Sequence, residues 1–197
     1  MLEKINVEDI VALAKKAGEA IMDIYQKDFE VEFKADQSPL TEADKAAHEI
    51  IEEGLKKLDQ KNDTAIPLMS EEGKNIPYQD RKDWEFFWMV DPVDGTKEFI
   101  KKNGEFTVNI ALINQGVPVL GVVYAPALGQ MYWAKQGEGA FKDGQRLPLK
   151  QAEQRENYKI VASRSHMSDE TQQFIDAIET DKAKELVSIG SSLKICL

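Results

Sequence analysis

Glu85-Phe86-Phe87-Trp88-Met89-Val90-Asp91-Pro92-Val93-Asp94-Gly95-Thr96 is the stretch on which the reading of this chain turns. Glu85 to Val90 is a short apolar run, which predicts a strand. It ends in two carboxylates, Asp91 and Asp94, separated by a Pro-Val step. The carboxyl ends of strands are where ligand sites collect in α/β architectures. Magnesium takes oxygen ligands, with one or two carboxylates completed by water and substrate phosphate. Pro92 stiffens the loop and keeps Asp91 out of helical geometry. The Val93 carbonyl, exposed in that loop, offers a neutral oxygen. In isolation, Asp91 to Gly95 reads equally well as a turn whose aspartates cap a helix. The residues that follow shift the balance. Gly95-Thr96-Lys97-Glu98-Phe99-Ile100 reads as a helix start. Backbone N–H groups at a helix start bind phosphate, Gly95 permits close approach, and Thr96 adds a hydroxyl. Metal-binding carboxylates joined to such a turn describe a metal-dependent phosphatase.

Upstream, Ala65-Ile66-Pro67-Leu68-Met69 is a second short apolar run, ending in Ser70-Glu71-Glu72-Gly73. It places Glu71 at a neighbouring strand end, where it can complete a centre shared with Asp91 and Asp94. Before it, Val7 to Lys27 carries Ile10, Leu13, Ala14, Ala17, Ile21, Ile24 and Tyr25 at helical spacing, with Asn6 as N-cap. Phe29 to Lys34 alternates like a short strand. The loop Ala35-Asp36-Gln37-Ser38-Pro39-Leu40 leads to a second helix at Thr41, with Asp44 in the position of a capping box. Downstream, Phe106 to Ile113, Val117 to Tyr124 and Gly129 to Ala134 read as a β-meander following the two helices. That pattern predicts a helix-backed sheet, hence an α/β class with helix and sheet in layers. After the polar stretch Lys150 to Asn157 come a strand (Tyr158 to Ala162), a helix (Ser168 to Thr180), a strand (Glu185 to Ile189) and a new element from Ser191. We therefore expect two domains. Residues 1–155 form an α+β unit carrying the metal and phosphate groups, and residues 156–197 start a smaller α/β unit. A β-α-β segment that stops so soon at Leu197 leads us to expect a natural domain longer than these 197 residues.

Composition excludes several classes. Lys and Arg total 25 against 35 Asp and Glu, a net charge of −10. Coating a nucleic acid needs the opposite sign. An anionic substrate is still compatible, because bound divalent metal reverses the local sign of an acidic site. With 42% hydrophobic residues spread along the chain, disorder is not expected. One cysteine, Cys196, allows no intrachain disulfide. Met1 to Ile5 lacks the apolar stretch of a signal peptide. Val117 to Leu128 is interrupted by Pro118, Gly121 and Pro126 and is too short to span a bilayer. The expected location is the cytoplasm, with peripheral membrane association left open.

Asp91-Pro92-Val93-Asp94-Gly95-Thr96 resembles the DPxDGT signature of the inositol monophosphatase superfamily. Ser70-Glu71-Glu72 resembles its upstream acidic motif, and Ser38-Pro39-Leu40-Thr41-Glu42-Ala43-Asp44 its N-terminal loop and helix start. The order and spacing match over the whole chain. Lys97-Glu98-Phe99, Asn103 to Asn109, Ser163-Arg164-Ser165-His166 and Gly190-Ser191-Ser192-Leu193-Lys194 resemble the bacterial 3′(2′),5′-bisphosphate nucleotidase branch. The resemblance implies a layered αβαβα sandwich whose second domain is incomplete here.

It also implies roles at matching positions. Glu71, Asp91, the Val93 carbonyl and Asp94 hold Mg²⁺. Thr96 with Glu71 orients the attacking water, and Asp44 assists a second, metal-linked water. Gly95 and Thr96 contact the scissile phosphate, while His166, Ser191 and Lys194 contact the nucleotide. Thr41 only shapes its loop. The implied reaction removes the 3′-phosphate of adenosine 3′,5′-bisphosphate (PAP), with its sulfated relative PAPS as second substrate and lithium inhibition as a family trait. Blander readings stand beside these. Asp44 serves equally well as a cap, Glu72 reads as a solvated carboxylate, His48 as structural, Lys194 alone as a surface lysine, and the tryptophans as packing. The family's further WDxAAG motif, whose Asp is another metal ligand, does not occur in this sequence. Alternatives are an inositol or sugar phosphate phosphatase of the same superfamily and, favoured by that missing motif, an inactive metal- or nucleotide-binding fragment. The expected partner is a small nucleotide, with no nucleic acid and no integral membrane segment.

Overall fold

The structure is a computed structural model of the chain. It describes residues 1–27, 31–33, 39–148, 156–163 and 167–196, of which residues 31–33 and 39–40 are described as backbone only. Helix α1 (Val7–Tyr25) starts at Asn6, whose side chain accepts the Glu8 N–H at 3.1 Å. Its apolar stripe buries Ile10, Leu13, Ala14, Ala17 and Ile21 as the spacing predicts. Strands β1 (Val31–Phe33) and β2 (Pro39–Thr41) pair antiparallel and lead into α2 (Glu42–Asn62). That helix ends at Asp63, which takes a left-handed φ of 51°. Then follow β3 (Leu68–Ser70), the single turn α3 (Tyr78–Arg81), β4 (Phe86–Asp94) and the short α4 (Thr96–Ile100). The meander comprises β5 (Thr107–Asn114), β6 (Val117–Ala125), β7 (Gln130–Lys135), β8 (Gly139–Lys142) and β9 (Gln145–Arg146). The chain continues with β10 (Tyr158–Ser163), α5 (Asp169–Ala177), β11 (Lys184–Ile189) and a 3₁₀ turn at Ser192–Ile195.

Strands β3 to β9 form one seven-stranded sheet in sequence order. The pair β3–β4 is parallel and every other pair in it is antiparallel. Helix α1 lies across β5, β6 and β7, and α2 lies on β4. Between helices and sheet sits the main core, where Ile10, Ile21, Ile51 and Leu55 meet Trp88, Val90, Ile110, Leu112 and Val122. Each such side chain withdrawn from water contributes about 1.5–3 kcal/mol. A separate two-stranded parallel sheet, β10–β11, carries α5 between its strands. No helix among the described residues is long and apolar enough to cross a membrane.

Several boundaries differ from expectation. Strand β4 does not stop at Val90 but runs through Asp91-Pro92-Val93-Asp94. Asp91 pairs with Asn109 and Asp94 with Thr107, with a register irregularity between them. Pro92 has no N–H to give, so the ladder is interrupted there without the strand ending. The two aspartates therefore flank an irregular strand segment rather than a free loop. Strand β3 is shorter than Ala65 to Met69 suggests, and the Pro67 carbonyl accepts the Trp88 N–H at 2.8 Å. Strands β8 and β9, joined at Asp143-Gly144, were not anticipated; they are too short to show a period. The element expected from Ser191 is one 3₁₀ turn.

Candidate active site

Parallel pairing of β3 with β4 builds the acidic end of the site. Ser70 lies opposite Val90, and the Glu71 N–H donates to the Val90 carbonyl at 3.0 Å. Parallel strands end at the same sheet edge, so Glu71 comes to stand beside Asp91. The Gly73 N–H donates to the Ser70 carbonyl (3.0 Å), closing a tight turn over Glu71 and Glu72. The pKa of Asp91 is pushed up to about 8, first by burial, then by the charges of Glu71 and Asp94 and a hydrogen bond with the Glu71 carboxyl. A backbone hydrogen bond from Val93 opposes this. Asp91 Oδ1 is buried and has no hydrogen-bond partner among the described residues. A buried acceptor with no donor, set among further carboxylates, fits a hard divalent cation. Among the described residues, no three His, Cys, Asp or Glu side chains already converge as metal ligands. Instead, Glu71 and Asp91 share a hydrogen bond, and Asp94 Oδ2 accepts the Ser192 N–H.

Asp44 is buried at the third position of α2. Its Oδ2 accepts both the Thr41 N–H (2.8 Å) and the Thr41 hydroxyl (2.6 Å), so the capping role is real. Its other oxygen, Oδ1, faces the Thr96 hydroxyl at 3.4 Å. Cap and site contact are thus held by one carboxyl. Burial raises the Asp44 pKa and the Glu72 charge adds to the rise, while the Thr41 hydrogen bonds oppose it. Thr96 Oγ1 also lies 3.3 Å from the Val93 carbonyl. One hydroxyl proton cannot serve both acceptors at once, and the lone pairs of the oxygen remain able to accept a hydrogen bond.

Gly95 precedes α4 with a φ of 95°. A Cβ there would stand 3.0 Å from the Glu105 carbonyl oxygen and 3.1 Å from Ser191 Cβ. Gly95 and Ser191, distant in sequence, are therefore packed against each other. Ser191 is buried, with a left-handed φ of 52°, and its hydroxyl accepts the Leu193 N–H at 3.3 Å. Lys194 Nζ donates back to the Ser191 carbonyl. Leu193 anchors the turn by packing with Ala125 and Tyr132. His166 lies outside the described residues. Sequence reasoning assigned no role to Ser192, Thr107 or Asn109. Ser192 Oγ donates to Asn109 Oδ1 at 3.0 Å and lies 2.8 Å from Thr107 Oγ1. The available signal was polar residues on an otherwise apolar strand.

His48 Nδ1 lies 2.9 Å from Ser70 Oγ, so this histidine supports the turn that presents Glu71. A cavity of about 520 Å³, lined by His48, Ser70, Glu72 and Lys74 among others, opens beside that turn. Glu71, Asp91, Asp94 and Thr96 are not in its wall, so this cavity is separate from the candidate site.

A helix-backed sheet with acidic ends on parallel neighbours, abutting a glycine–hydroxyl turn, is a layout suited to holding a metal beside a phosphate. The chain belongs to the inositol monophosphatase family, whose sequence pattern matches residues 3–197. It is 48% identical to the 3′(2′),5′-bisphosphate nucleotidase CysQ of Salmonella typhimurium, over 97% of this chain and 75% of that protein. The crystal structure of CysQ from Bacteroides thetaiotaomicron superimposes with a TM-score of 0.81 at 44% identity, covering 98% of this chain and 75% of that one. An IMPase/NADP phosphatase solved in complex with Mg²⁺ and phosphate superimposes with a TM-score of 0.67 at 25% identity, covering 91% of this chain and 66% of that one. The α/β fold expected from the sequence is therefore that of this family.

Proposed function

We propose that this chain is a Mg²⁺-dependent 3′(2′),5′-bisphosphate nucleotidase that converts PAP to AMP and phosphate in the cytoplasm, with PAPS as a second substrate. The substrate class rests on the likeness to the CysQ nucleotidases. The chemistry rests on one observation: the buried, donorless Asp91 Oδ1 beside the Glu71 carboxyl. Glu71, Asp91 and Asp94 with the Val93 carbonyl would hold the metal. When bound, Mg²⁺ supplies positive charge to the phosphate oxygens and acidifies water. The chain's own residues do the rest. Asp44 Oδ1 accepts from the Thr96 hydroxyl, which leaves the Thr96 oxygen to accept from, and so orient, the attacking water. Glu71 would be the second acceptor for that water. The Gly95–Thr96 turn receives the scissile phosphate. Water attacks phosphorus, the bond to the 3′ oxygen breaks, and the proton the water gives up is balanced by the one the 3′ oxygen takes on. Ser191 and Lys194, with His166, take the nucleotide side. In this reading residues 1–155 carry the metal and phosphate groups, and residues 156–197 the nucleotide contacts.

The test is phosphate release from PAP and from inositol 1-phosphate, with and without Mg²⁺. Magnesium-dependent release from PAP alone is expected, and its loss in Asp91→Asn. Release from inositol 1-phosphate alone, or from neither, overturns the assignment.

A further inference from the structure

We propose that Glu105 is a positioning residue for the nucleotide side of the site, acting through the backbone of Gly190. Its activity readout rests on the nucleotidase reading above. Glu105 sits between α4 and β5, with its N–H donated to Asn103 Oδ1 at 3.0 Å. Two parts of it touch two parts of the site. Its carbonyl oxygen walls Gly95 from one side. Its carboxylate Oε2 accepts the Gly190 N–H at 2.8 Å, from a residue 85 positions further on. One residue thus ties the phosphate turn to the turn that carries Ser191, Ser192 and Lys194.

The second turn needs such a tie. Ser191 holds a left-handed φ of 52°, which a residue with a Cβ adopts only when its surroundings impose it. Just before it, Gly190 is hemmed in: a Cβ there would meet Glu98 Cγ at 2.6 Å and Glu105 Oε2 at 3.2 Å. Just after it, the Ser192 N–H reaches Asp94 Oδ2. The direction of the Gly190 peptide therefore sets where Ser191 and Ser192 fall. Without the Glu105 acceptor, Gly190 loses its hydrogen bond, Ser191 is freed to relax, and the Ser192 N–H leaves Asp94.

The experiment compares wild type, Glu105→Ala and Glu105→Gln as full chains. Amide hydrogen exchange at Gly190 and Ser192 is read without substrate, and kcat and KM are read with PAP and Mg²⁺. Glu105→Ala is expected to speed exchange at both amides and to raise KM about tenfold, with a smaller change in kcat, as for the loss of one hydrogen bond. Glu105→Gln keeps an oxygen acceptor at the same reach and is expected to bring both readouts back toward wild type. Unchanged exchange and KM in Glu105→Ala overturn the proposal. So does a Gln variant as impaired as Ala, which would assign the effect to charge. If Glu105→Ala does not fold, Glu105→Asp, one methylene shorter, is read the same way: faster exchange and higher KM support the proposal, wild-type values overturn it. A wild-type chain inactive on PAP would refute the nucleotidase reading, while the exchange readout would still decide the role of Glu105.

Discussion

The carboxyl groups of Glu71 and Asp91 share a hydrogen bond across two parallel strands. Two carboxyls can share one only if a proton resides on the pair. Burial and the neighbouring charges of Glu71 and Asp94 favour the protonated form of Asp91, and a divalent cation would answer the same crowding of negative charge.

That arrangement makes stability depend on pH in a defined sense. The Asp91 pKa rises from 3.8 to about 8 on folding, so between these values the folded state binds more protons than the unfolded state. The contribution of Asp91 is fully present below 3.8 and is lost as pH rises through about 8. In chelator, wild type should lose melting temperature relative to Asp91→Asn as pH climbs through that window. Mg²⁺ should raise the wild-type melting temperature more above about pH 8 than below about pH 6, because protons compete for the same oxygens. Parallel melting curves of the two proteins across the window would refute the shift.

Asp44 combines a helix cap and a site contact, and substitution should separate them. Asp44→Asn keeps an oxygen acceptor for Thr41 and should change stability by less than about 1 kcal/mol. Asp44→Ala should cost about 1–2 kcal/mol. Both should lower kcat about a hundredfold or more, because neither offers a carboxylate to the Thr96 hydroxyl. Denaturant melts and steady-state kinetics on the same preparations check this.

Gly95 tolerates no side chain. Gly95→Ala places a Cβ at positive φ, 3.0 Å from the Glu105 carbonyl oxygen. It should destabilise by more than about 1 kcal/mol and abolish phosphate release. Wild-type turnover in this variant would show that the turn does not approach the phosphate.

Lys194 bends back to the Ser191 carbonyl, so its charge is held over the turn that carries Ser191. Lys194→Met should raise KM for PAP about tenfold and leave 3′-AMP, which lacks the second phosphate, nearly unaffected. Equal effects on both substrates would place Lys194 in fold support alone.

The helices were legible because their apolar period is strong and their caps are explicit: Asn6 and Thr41 stand where α1 and α2 begin. The β-meander was legible from alternation and its turns. The extension of β4 through Asp94 was not, because proline signals an end in sequence, whereas the neighbouring β5 carries the ladder past it. Strands β8 and β9 were not legible, being too short for a period to register.

The sequence by itself singled out the candidate residues, because Glu71, Asp91, Asp94, Gly95 and Thr96 lie in short motifs that local spacing exposes. It could not show how they meet. Ser70 opposite Val90, Asp44 facing Thr96, Ser192 on Asp94 and Glu105 on Gly190 are contacts between segments far apart in the chain. Such contacts depend on strand register and on how helices seat against the sheet. Both are set by burying the shared core around Trp88, Val90 and Ile110, a property of the whole fold that no local stretch of sequence contains.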